Sequence, residues 1–211
     1  MIVKLTNING QTKNNTQWGK NITHIAKKEG NVLCSNQVIH YYEDEYLAVF
    51  ANPRHCNFSK DNMQMWEFVP NKKVNGDALK SACKSGTTIK QVPIPNITRD
   101  QRVEIGIKCV LAVSKDKKWI IWANNWLNKK DRTKNAAWAA AGAAYAANAA
   151  DAADAATYAA YAAAYAANAA DAADAADAAD AAYAADAAWA AARAANIKLD
   201  IISIIHQVIG K

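Results

Sequence analysis

The sequence predicts an α+β protein: a small β-rich N-terminal head with two helices, residues 1–134, then long alanine-rich helices over residues 135–211, folded as a hairpin or a bundle. Three observations lead there. The first 95 residues alternate short apolar runs with turn signals. Thr98 opens a capped helix that is followed by a second helix striped with tryptophan. Of the 60 residues from Ala136 to Ala195, 41 are alanine. At 211 residues the chain makes one domain or two small ones and is long enough to bury a core.

In the head, Ile2–Ile8 alternates as a strand does, and Asn9-Gly10, Asn14-Asn15 and Asn75-Gly76 are turn signals, the last read as a hairpin turn. Val32–Cys34, Val38–Tyr42, Leu47–Phe50, Met65–Val69 and Thr87–Val92 are further strand candidates, and Pro93 and Pro95 stop extended structure. Thr98 and Gln101 have the spacing of a capping box, which predicts a helix from Arg99 to about Ser114 with Val103, Ile107, Val110 and Leu111 facing inward. After a turn at Lys115-Asp116, Trp119, Trp122 and Trp126 share one helical face. Core packing is the plain reading of that stripe; a platform for stacking bases is the sharper one. Residues 128–134 form a charged linker, and Asn135 is the expected N-cap of the next helix.

Alanine is the best helix former and a poor strand former, so the tract reads as helix. From Trp138 to Arg193 the larger residues recur every three or four positions, a mean step of about 3.2, and each three-residue step leaves the next marker about 60° behind. They wind around the rod instead of lining one face, and a coiled coil needs a spacing near 3.5. Small side chains let helix axes approach closely. One 60-residue helix would be about 90 Å long, so the tract is expected to fold back, pair with another subunit or project, with Asn168 the best candidate turn. Residues 197–209 form an apolar closing helix in which His206 is read as structural. Thr157 by itself does not make an ice-binding face. Asp151, Asp154, Asp171, Asp174, Asp177, Asp180 and Asp186 could stand in for phosphates in a DNA mimic. A self-associating helical scaffold fits better than either.

Charge is divided along the chain. Residues 1–134 hold 22 basic and 11 acidic side chains; residues 135–211 hold 3 and 8, and the whole carries +6. A basic head suits nucleic acid or another polyanion, or it is the surface on which the acidic tail docks. Polar residues interrupt the alanines every third or fourth position, which excludes a membrane-spanning helix. Residues 1–7 lack the pattern of a secretory signal. The cysteines, Cys34, Cys56, Cys83 and Cys109, contain no C-x-x-C pair and read as reduced thiols in a cytosolic protein. A metal site from Cys34, His40, His55 and Cys56 would need two adjacent ligands on one tetrahedral ion, so neither metal nor cofactor is expected.

No phosphate-binding loop, dinucleotide fingerprint, zinc-protease motif or nucleophile elbow occurs. The residues with catalytic potential are Cys34 as nucleophile with His40 as its base, and Glu67. Anion binding is the stronger expectation: Arg54 and His55 follow Asn52-Pro53 in a loop, and Gln101 and Arg102 lie in the first turn of the capped helix.

The phrases VLCSNQVIHYY at 32–42, LAVFANPRH at 47–55, MWEF at 65–68, PIPNITRDQRV at 93–103 and WANNWLNKKDR at 122–132 span most of residues 30–132. On them the head resembles an uncharacterised family of phage and prophage proteins. The resemblance makes Cys34, His40, Pro95, Gln101, Arg102, Trp122, Trp126, Asp131 and Arg132 signature positions and implies no particular activity. Alanine-rich tails with interspersed Trp, Tyr, Asp and Arg are similar to those on many phage and bacterial proteins; this tail is poor in arginine by comparison.

The expectation is therefore a phage-encoded, non-catalytic binding protein in the host cytoplasm. It engages a host protein, such as a defence component, or a small anionic ligand, and its tail mediates packing or homo-oligomer formation. An enzyme acting on a nucleotide or nucleic acid, and a nucleic-acid-binding module, are the alternatives.

Overall fold

A computed structural model describes residues 1–52, 58, 62–133, 135–137, 139–140, 162–163, 183–188, 190–191 and 199–210. It combines strands and helices, as an α+β chain should, and divides into two compact units, Met1–Asn96 and Ile97–Lys211. The division falls well ahead of the boundary expected at residue 134. The two helices assigned to the head belong instead with the C-terminal residues. Most of the alanine tract, including Asn168, Thr157 and six of its seven aspartates, lies outside the described residues.

Among the described residues the first unit has nine strands: β1 (Val3–Asn7), β2 (Gln11–Thr12), β3 (Thr16–Gln17), β4 (Ile22–Ile25), β5 (Ile39–Tyr41), β6 (Met63–Pro70), β7 (Lys73–Gly76), β8 (Ser81–Cys83) and β9 (Ser85–Val92). Antiparallel pairing gives a four-stranded sheet in the order β1-β6-β9-β4 and a three-stranded sheet β5-β8-β7. The two sheets are joined at Val3 and Tyr42, which exchange both backbone hydrogen bonds at 2.9 Å. β2 and β3 form a small hairpin turned at Lys13–Asn15, and Asn15 takes a left-handed φ of 54° there.

Alternation along β1 and β6 sorts the core into two faces. Val3, Leu5, Met63 and Met65 are buried on one, where the helix α1 (Glu45–Ala51) lies beside β1. On the other, Phe68 packs with Trp18, Ile39, Tyr41 and Cys83. Lys4 shares that face and is 7% exposed. Its ammonium lies 4.5 Å from the Trp18 ring centroid and donates to the His40 carbonyl at 2.8 Å. An aromatic face and a carbonyl thus replace part of the hydration that the buried charge has lost.

Three strand-level expectations are corrected. Leu47–Phe50 lies in α1: the Asp44 carboxylate accepts from the amides of Tyr46 and Leu47 at 2.8 and 2.9 Å, and that cap selects helix for a short apolar run without a clear period. Val32–Cys34 is turn and irregular backbone. Asn75 and Gly76 end β7, and the hairpin turn follows at Asp77–Lys80, where the Asp77 carboxylate accepts from the amides of Leu79 and Lys80.

In the second unit, α2 (Arg99–Leu111) begins at the expected capping box, with Thr98 Oγ1 accepting from the Gln101 amide and Gln101 Oε1 from the Thr98 amide. It ends three residues before Ser114. Val103, Ile107 and Val110 are buried as expected, together with Ile105, Gly106 and Cys109, while Leu111 is half-buried. The helix α3 (Lys117–Leu127) is capped by Asp116 and buries Trp119, Trp122 and Trp126, which bears out core packing for the tryptophan stripe. The next helical residues are capped by Thr133, whose Oγ1 accepts from the Ala136 amide, so Asn135 is already helical and is not the cap.

The described alanines of the tract are helical; Ala139 is exposed and Ala136 half-buried, while the others are buried, Ala184, Ala185, Ala187 and Ala188 each at 0% exposure. A Cβ placed on Gly106 of α2 would lie 3.3 Å from the Ala184 carbonyl oxygen and 3.4 Å from its Cα. Glycine facing alanine brings the two backbones into contact, as the small-residue argument anticipated for this part of the tract. The closing helix α4 (Ile201–Ile209) is capped by Asp200, buries Ile201 and Ile205, packs against α2 and ends at Gly210 with φ 78°.

Candidate functional site

Loop 26–38, between β4 and β5, carries the Cys34 candidate, and side chains from β7 and from the β8–β9 junction hold it in place. Lys84 donates from Nζ to the carbonyls of Gly30 and Gln37, the latter at 2.9 Å. Asn75 Nδ2 donates to the Asn31 carbonyl at 2.7 Å. Within the loop, Ser35 Oγ donates to the Val32 carbonyl and Gln37 Oε1 accepts from the Val32 amide. These bonds leave Cys34 exposed at the loop apex with a left-handed φ of 60°.

Cys34 and His40 do come together, but not as nucleophile and base. The Cys34 backbone amide donates to His40 Nε2 at 3.0 Å, so that nitrogen acts as an acceptor and is occupied by the main chain. Burial first, and then the charges of Lys80 and Lys4, lower the His40 pKa to about 4; Asp77 opposes this weakly. Near neutral pH the ring is uncharged, which its acceptor role requires. The group against the Cys34 sulfur is Lys80, whose Nζ donates to Sγ at 3.1 Å.

The other sequence candidates are dispersed. Glu67 lies on the Val3–Leu5 face of β6, the opposite face from Lys4 and Phe68, and pairs with Lys90 at 3.6 Å. It therefore does not join His40. Gln101 is consumed by the capping box. Arg102 is half-buried in the first turn of α2, and its amide donates to the Thr98 carbonyl. Arg54 and His55 lie outside the described residues, as does Cys56. Cys83 and Cys109 are buried, and burial raises both thiols, Cys83 to about 11.

Asp131 and Arg132 prove to be structural fasteners. Asp131 Oδ1 accepts from the Thr133 amide and hydroxyl. Arg132 donates to Asp100 Oδ2 at 2.7 Å and to the Trp126 carbonyl at 3.0 Å, with its guanidinium 4.0 Å from the Trp126 ring centroid. Lys80 is the member of the cysteine cluster that sequence reasoning missed. It is 46 residues from Cys34 and no local pattern marks it.

Among the described residues no group of three or more His, Cys, Asp or Glu side chains could hold a metal ion, and no helix is long and apolar enough to cross a membrane. Comparison with protein-family models, curated proteins and solved structures finds no match to this chain.

Proposed function

We propose that this is a phage-encoded protein that works by binding and not by catalysis. The first unit is its recognition element for a host protein or a small anionic ligand, and the alanine-rich region serves packing or self-association. The observation that carries this reading is the state of the Cys34–His40 pair: Nε2 accepts from a main-chain amide, the ring is kept neutral, and the sulfur faces an ammonium group. With its Nε2 occupied by the main chain, His40 does not serve the sulfur as the general base that the enzyme alternative asks of it. Charge supports an acidic or anionic partner, since residues 1–96 hold 12 basic and 7 acidic side chains.

The test is capture with the full chain from phage-bearing host cells, followed by binding of the captured partner at graded salt. One host protein or anionic metabolite binding saturably at one site supports the reading. A steep, sequence-independent loss of affinity with salt on DNA or RNA would replace it with a nucleic-acid module. Turnover of a nucleotide that is lost in Cys34→Ala would replace it with an enzyme.

A further inference from the structure

We propose that Cys34 and Lys80 form an oxidation-driven covalent pair, in which a peroxide reaching Sγ leads to a Cys34–Lys80 sulfenamide that staples loop 26–38 to the β7–β8 turn. The inference is independent of the binding reading above.

Three features carry it. The first is proximity, because Nζ and Sγ are 3.1 Å apart and both are accessible at the surface. The second is that both partners are held. The Cys34 amide is fixed to His40 Nε2 at 3.0 Å, and Lys80 is fixed in its turn by two bonds with Asp77, its amide to Oδ1 and its carbonyl from the Asp77 amide, each 2.9 Å. The main chains that carry the reacting atoms are therefore placed by β5 and by the β7–β8 turn, and bond formation requires ordering only of the two side chains. The third is selectivity: among the described cysteines only Cys34 is exposed, whereas Cys83 and Cys109 are buried where an oxidant does not reach.

The chemistry balances in two steps. Peroxide transfers one oxygen to Cys34 as its O–O bond breaks and an S–O bond forms. The products are sulfenic acid and one water; sulfur loses two electrons and peroxide gains them. The Lys80 ammonium gives a proton to solvent, and the amine attacks Sγ. An N–S bond forms, the S–O bond breaks, and the hydroxyl departs as a second water with a nitrogen proton. An added dithiol reverses the link by attacking sulfur and releasing the amine.

The experiment treats the full-length protein with hydrogen peroxide, blocks remaining thiols, and maps peptides by mass spectrometry with and without dithiothreitol. The expected product joins the Cys34 and Lys80 peptides at a mass about 2 Da below their sum, and the reductant removes it. Lys80→Arg keeps the positive charge but should abolish the link and raise dimedone labelling of Cys34 sulfenic acid several-fold; Cys34→Ser should abolish both. Progress of Cys34 to sulfinic acid without a link would overturn the proposal. So would a link to Lys27 or Lys84 in place of Lys80, or a Cys34 disulfide between two chains as the dominant product.

Discussion

At Gly86 a single added methyl group would collide with a buried aromatic ring. It lies in β9, opposite His24 of β4 and Pro70 of β6, with no left-handed φ, so alanine fits the backbone. A Cβ there would meet Phe68 Cζ at 2.2 Å and its Cε atoms at 2.9 Å. The ring would have to retreat by more than 1 Å to reach ordinary contact. It has little room to do so, with ring centroids of Trp18 at 6.0 Å and Tyr41 at 5.6 Å and 2% exposure. Overpacking of a closed core costs about 1–3 kcal/mol. Alanine recovers about 0.4–1 kcal/mol by restricting the unfolded chain. Gly86→Ala should therefore destabilise by about 1.3 kcal/mol, the difference between the midpoints of those two ranges. The measurements are urea unfolding of the full chain and hydrogen exchange at the β6 and β9 amides, which report locally on this sheet. Adding Phe68→Leu removes the atoms that collide, so the cost of Gly86→Ala should shrink in that background. Wild-type stability in Gly86→Ala, or a cost that Phe68→Leu leaves unchanged, would refute the steric argument.

Three further outcomes follow from the same geometry. The His40 pKa is lowered in the folded state to about 4 from 6.5. Below pH 6.5 the unfolded chain takes up a proton that the folded ring refuses, so the contribution is fully present above 6.5 and is lost as pH falls toward 4. Urea midpoints across that window should fall with pH more steeply in wild type than in His40→Gln, and equal slopes would contradict the assignment. Thr98→Ala removes the side-chain half of the α2 cap and should cost about 1 kcal/mol, read as faster amide exchange in the first turn of α2. Arg132→Lys should not restore what Arg132→Ala loses, because a lysine cannot hold the Asp100 carboxylate and the Trp126 carbonyl while covering the indole ring; thermal midpoints of the two variants decide it.

Signals that act over a few residues were legible in the sequence. The Thr98–Gln101 capping box, the prolines that stop β9 at Val92, and the alternation of β1 are set by side chains within a turn or two of the backbone they govern. The tryptophan stripe reported its own burial for the same reason, since helical period alone places Trp119, Trp122 and Trp126 on one face. Where two conformations suited a short apolar run, as at Leu47–Phe50, propensity could not choose and the Asp44 cap did. Of the candidate site, the sequence brought out Cys34 and His40 but neither the atoms that join them nor the lysine beside the sulfur.

Composition and local pattern by themselves therefore determined the α+β class, the Thr98–Gln101 cap and the helical character of the alanines described. Tertiary structure decided where the chain divides, because Gly106 of α2 accepts the backbone of Ala184 far along the sequence and α4 packs on the same helix. It also decided the chemistry around Cys34, because a hairpin turn 46 residues away sets an ammonium against the sulfur while the neighbouring histidine ring accepts from the main chain. Hydrogen-bond partners of that kind depend on strand register and loop closure, which emerge only when distant segments pack.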